Sequence, residues 1–152
     1  MKFMILVKAT KDSEAGKMPP ESLLAEMGGF HEEMAKAGIL VDGNGLKRSA
    51  EGWRIRYGKG GKRAVVDGPF TETKELVAGF WLWQVKSKEE AIEWVKRCPN
   101  PMPGDSEIEI RQVIEFEDFG VQIAPERVER KEKLRGDYEK QQLEDYEKHY
   151  KP

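Results

Sequence analysis

The chain has 152 residues, 38% of them hydrophobic and 36% charged, with 26 basic and 28 acidic side chains and a formal net charge of -2. That near-balance excludes an electrostatic case for direct nucleic-acid or anionic-membrane binding, and no apolar stretch is long enough to span a bilayer. A single cysteine, Cys98, excludes an internal disulfide; with a start that reads directly as a strand rather than a signal peptide, it makes a cytoplasmic protein the expectation.

Lys2–Lys8 is a short apolar run with Phe, Ile and Val, the pattern of a buried strand. Residues 9–18 read as a polar loop. Pro20 then offers a first-turn proline, and Leu23, Met27, Phe30, Met34 and Ala37 recur at helical spacing before Gly38 stops the helix. Ile39–Val41 and Trp53–Tyr57 read as short strands, and Gly58–Gly61 turns the second back into a strand at Lys62–Val66. Val77–Lys86 follows as an aromatic-rich strand. Ser87 and Glu90 have capping-box spacing ahead of a helix carrying Ala91, Ile92, Trp94 and Val95, which the proline-rich break at 99–103 ends. Glu107–Glu117 alternates, with Ile108, Ile110 and Ile114 on one face and Glu109, Arg111 and Val113 on the other. Cys98, before Pro99 at this helix end, reads as a small buried apolar residue rather than a nucleophile.

This order predicts an α+β ferredoxin-like sandwich with an added β-hairpin. The domain runs over residues 1–118, and 119–152 form a charged C-terminal extension, mostly helical from Pro125. Its apolar stripe (Leu134, Tyr138, Leu143, Tyr146, Tyr150) is too thin to hold it folded alone. If the isoleucines of the last strand and Phe80 and Leu82 face the helices, alternation puts Trp81 and Trp83 on the opposite, open sheet face with Glu109 and Arg111. An aromatic face of that kind calls for a partner, and a second copy packed sheet to sheet is the simplest one.

Between two strands stands the run Asp67-Gly68-Pro69-Phe70-Thr71-Glu72-Thr73-Lys74-Glu75, longer and more charged than a plain connector needs. Asp67 is the leading functional candidate: a carboxylate partly dried by tryptophans would serve as a general base, whereas an Asp at the start of a turn more commonly bonds backbone N–H groups further along. Phe70 is expected to pack inward and anchor the loop. His31 reads first as a surface histidine on the amphipathic helix, and His149, in the tail, has no assigned role. No spacing suits a metal, Gly58-Lys59-Gly60-Gly61 opens a strand rather than a phosphate-binding helix, and no cofactor is expected.

The Asp67–Glu75 run resembles the hallmark stretch of the DGPF-domain branch of the YCII-related proteins. The likeness extends over residues 1 to about 118, through Ala37-Gly38-Ile39-Leu40, Gly43-Asn44-Gly45-Leu46, Ala78-Gly79-Phe80-Trp81, Glu90-Ala91-Ile92-Glu93-Trp94 and Glu109-Ile110-Arg111-Gln112-Val113. It implies a fold similar to the dimeric α/β-barrel proteins, which pair ferredoxin-like sheets face to face. The wider group has a His–Asp pair in a cleft as its proposed active site, includes a dehydrochlorinase acting on a chlorinated aromatic, and has members linked by gene context to extracytoplasmic-function sigma factors. Asp67 matches the aspartate. The helix histidine of many relatives falls on Met27, and His31 lies one turn later on a similar face.

The resulting expectation is a homodimer with a small-molecule cleft, of lyase or isomerase type without a cofactor. Asp67 would take a proton with His31 assisting, Arg111 would orient an anionic or phenolic ligand, and Trp83 would supply an apolar wall beside Phe70. The alternative is a non-enzymatic binding or regulatory module with a sigma-factor link.

Overall fold

In the first strand, β1 (Lys2–Lys8), Phe3, Ile5 and Val7 are buried while Lys2, Met4, Leu6 and Lys8 are half-buried on the other side. In the computed structural model, which describes residues 1–72, 75–115, 118 and 125–150, β1 is an inner strand of an antiparallel sheet. The sheet order is β2-β5-β1-β6, with β2 at Leu40–Gly45, β5 at Val77–Gln84 and β6 at Ile108–Gln112. Two helices complete the ferredoxin-like pattern: α2 (Glu21–Lys36) between β1 and β2, and α3 (Lys88–Arg97) between β5 and β6. The added hairpin, β3 (Trp53–Tyr57) and β4 (Arg63–Asp67), forms a two-stranded sheet of its own.

The helices end where the sequence says they should. Gly38, at φ +69°, carries the chain out of α2: its N–H bonds the Ala35 carbonyl and the Ile39 N–H bonds Met34, two otherwise orphaned groups. At α3 the Ser87 hydroxyl accepts from the Glu90 N–H, while the Glu90 carboxylate reaches back to the Lys86 N–H, one residue short of a closed capping box. The polar segment after β1 contains a single-turn helix, α1 (Lys11–Glu14), capped by reciprocal Thr10–Ser13 bonds.

The core corrects the expected assignment of sheet faces. Trp81 and Trp83 lie beneath α2, with Trp83 at 0% exposure, packed with Phe30, Met34, Phe3 and Ile5. The two indoles stack at 5.9 Å, and Phe30 meets them edge-on at 6.4 and 6.5 Å. Register fixes this arrangement: Ile5 stands between Trp81 and Ile110, so the tryptophans and the β6 isoleucines share one face. Phe80 and Leu82, half-buried, lie on the open face instead, in the rows of Leu6 with Glu109 and Met4 with Arg111.

Strand limits differ as well. Strand β2 continues past Val41 to Gly45 through a register shift, and β6 stops at Gln112, leaving Ile114 exposed beyond it. Contacts divide the chain into two units, Met1–Val113 and Ile114–Pro152. The second contains α4 (Pro125–Tyr150), a charged helix on which Leu134 and Tyr138 are exposed. The side chains of Leu143, Tyr146, His149 and Tyr150, and the loop residues Thr73 and Lys74, lie outside the described residues.

Two glycines separate helix propensity from steric need. Gly28, inside α2, has open space where a Cβ would stand, whereas a Cβ on Gly68 would run into the Ser49 carbonyl. Gly28→Ala should therefore stabilise the fold by about 0.5–1 kcal/mol and Gly68→Ala destabilise it by about 2–3 kcal/mol, both read from urea unfolding.

Candidate ligand-binding cleft

A concavity of about 1110 Å³ opens where α1 and its following loop, α2, the end of β2 and the start of β5 come together. Its apolar wall includes Met18, Leu24, Met27, Leu46 and Trp81, and His31 stands in it. Helical geometry places Met27 and His31 one turn apart on this face.

His31 is held at both ring nitrogens. Trp81 Nε1 donates to His31 Nε2 at 2.7 Å, and His31 Nδ1 lies 2.8 Å from the Met27 carbonyl oxygen. An indole N–H only donates and a carbonyl only accepts, so Nε2 carries the lone pair and Nδ1 the proton. The rings meet edge-on at 5.6 Å. Gly43 makes room for this pair: a Cβ there would collide with the Trp81 ring.

The rim carries charge in matched groups. Lys17 bonds Asp12 at 2.7 Å, while Lys47 at 3.1 Å and Arg48 at 3.3 Å share the single carboxylate of Glu51. The Lys47 hydrogen bond and charge, with Arg48 adding to them, hold the Glu51 carboxyl below its ordinary range. Three cations against two carboxylates leave a surplus positive charge at the mouth.

A second, smaller concavity of about 390 Å³ shares Lys47, Arg48 and Glu51 with the first and reaches the Asp67–Glu75 loop. Ser49 ties this region together. Its N–H donates to both Glu14 carboxylate oxygens (3.1 and 3.2 Å), its hydroxyl donates to Glu14, and the same hydroxyl oxygen accepts from the Phe70 N–H at 3.1 Å. The Gly68–Pro69 peptide is cis, and the Gly68 N–H donates to Gly52.

These placements separate the residues that the sequence grouped. His31 reaches the large cleft. Phe70 is half-buried in the smaller one, with the Arg54 guanidinium 3.8 Å over its ring. Asp67 is exposed at the end of β4, opposite Trp53, and lines neither cleft. Arg111, on the open sheet face, lies 3.7 Å from Glu109, which also pairs with Lys8 at 3.1 Å. Trp83 is core, a correction to its expected place as a cleft wall, and its buried Nε1 has no hydrogen-bond partner among the described residues. The Trp81–His31 bond, the Glu51 cluster and the Ser49 hub were not foreseen. Among the described residues no His, Cys, Asp and Glu side chains cluster as metal ligands, and no helix is long and apolar enough to cross a membrane.

A ferredoxin-like sheet with an inserted hairpin and a cleft against the first long helix defines an α+β domain of the YCII type. The YCII-related domain model matches residues 1–117, and the chain belongs to that family. It is also similar to an uncharacterised protein of Rhizobium meliloti (strain 1021), 28% identical over 95 residues, which span 62% of this chain and 76% of that protein.

Cys98 and His31 each give a direct test. Burial pushes the Cys98 thiol up to about 11 from 9.0, so at pH 8 its thiolate fraction, and its labelling by a thiol reagent, should fall about a hundredfold below that of the urea-unfolded chain. Because the folded value is the higher one, the associated stability is fully present below about pH 9 and is lost as pH rises toward 11. For His31, two-bond nitrogen–proton NMR correlations should report the Nδ1–H tautomer, and Trp81→Phe should cost about 1–3 kcal/mol by leaving Nε2 without its donor.

Proposed function

We propose that the protein binds a small molecule with an apolar body and an anionic end in the cleft at His31. The observation that carries this reading is the cleft itself: it is at the upper end of ligand-site volumes, has a largely apolar wall, and bears the surplus positive charge of Lys17, Lys47 and Arg48 at its mouth. Trp81 and His31, locked to each other, offer an aromatic wall of fixed shape.

Engagement of both His31 nitrogens favours a binding or regulatory module over lyase or isomerase chemistry. In this arrangement neither nitrogen is available to take a proton, and the Asp67 carboxylate that would act as acid/base stands outside the cleft of its own chain. Gene-context links of the family to sigma factors suit that regulatory reading. Part of the same proposal is a cytoplasmic homodimer joined sheet to sheet. Half-buried Met4, Leu6, Phe80 and Leu82 on the open face support it, as does the charged row of Lys8, Glu109 and Arg111 beside them.

Anilinonaphthalene sulfonate has the proposed chemistry and a fluorescence readout. It should bind the native protein with quenching of tryptophan emission, and Leu46→Trp or Leu24→Trp, at exposed positions on the cleft wall, should weaken binding at least tenfold. Binding unaffected by both substitutions would remove the cleft as the site.

A further inference from the structure

The hairpin has two unlike faces. In an antiparallel pair, directly opposed residues project to the same side. One side carries Arg54 opposite Val66 and Arg56 opposite Ala64, and there Arg54 covers Phe70 of the following loop. The other carries three rows: Trp53 opposite Asp67, Ile55 opposite Val65, and Tyr57 opposite Arg63. Its four large apolar side chains are bare, with Trp53 70%, Ile55 47%, Tyr57 73% and Val65 68% exposed. A two-stranded sheet is marginal on its own, and a contiguous apolar strip of this kind marks an interaction surface.

We infer that this face is an isologous docking surface for a second copy of the same chain, separate from the open face of the four-stranded sheet. The charges identify the occupant. Asp67 and Arg63 stand on the same strand at opposite ends of the apolar rows, and neither meets an opposite charge among the described residues. Arg63 donates to the Gly61 and Lys62 carbonyls and lies 4.3 Å over the Tyr57 ring, which leaves it without a carboxylate.

A two-fold axis lying in the interface across the Ile55–Val65 row sets each Asp67 against the partner's Arg63. The same operation sets each Trp53 against the partner's Tyr57 and closes the Ile55–Val65 rows on themselves at the centre. One acid and one base at opposite ends of an apolar strip are self-complementary under such an axis. With the sheet faces also paired, each protomer would meet two partners, one through each face.

Sedimentation velocity and native mass spectrometry of the full chain over a range of concentrations test the proposal, with circular dichroism monitoring the fold. Ile55→Asp should abolish hairpin association. Asp67→Arg and Arg63→Asp should each weaken it tenfold or more, and the double exchange should restore it. Arg111→Glu, on the open sheet face, should leave it intact, so loss of sheet pairing alone reduces the assembly to a hairpin-linked dimer. Association unchanged by Ile55→Asp, or a double exchange no better than the single ones, overturns the proposal.

Discussion

Burial of Trp81 and Trp83 beneath α2 is the constraint on which the rest of the domain depends. Strand β5 hydrogen-bonds to both β1 and β2, so the direction of its side chains sets the inner face of three strands at once. Each buried indole contributes on the order of 3–5 kcal/mol from area alone, enough to outweigh any competing local preference. Phe30 on α2 meets this pair edge-on, and Met34 on α2 and Ala91 on α3 belong to the same core cluster. Trp83 is enclosed so completely that its N–H lacks an acceptor among the described residues, a cost that the surrounding packing offsets. Trp81, nearer the edge, spends its N–H on His31. The core and the cleft wall are thus the same side chain seen from two directions.

Elements and their order were legible in the sequence because helix stops, caps and strand lengths are local: Gly38, Ser87 and the alternation of β6 each act within a few residues. The choice of sheet face is not local. Alternation divides β5 into two sets but does not say which is inside, and two tryptophans look as suited to a partner as to a core. A polar marker was present: Gln84 and Lys86 have the parity of Phe80 and Leu82, and Lys2 and Lys8 that of Met4 and Leu6, which points these sets away from the helices.

The cleft was less legible still. It joins Asp12–Pro19, the α2 face at Met27 and His31, and the turn after β2, stretches that share no sequence signal. His31 was identified as a candidate on the resemblance and on helical spacing, yet its bond to Trp81 requires that Trp81 face inward. The misassigned sheet face therefore hid the site's central contact. Asp67 attracted attention through its loop, and that loop is real; its carboxylate, however, follows the register of a hairpin whose orientation no local pattern encodes.

Ser49 ties the segment 47–51 to its neighbours on two sides. Its hydroxyl joins the end of α1 to the start of the Phe70 loop, and the carbonyl of the same residue fills the space that a side chain on Gly68 would need. The segment's Lys47, Arg48 and Glu51 wall both concavities. The two hollows therefore share three lining residues, so a substitution in this short segment alters both at once.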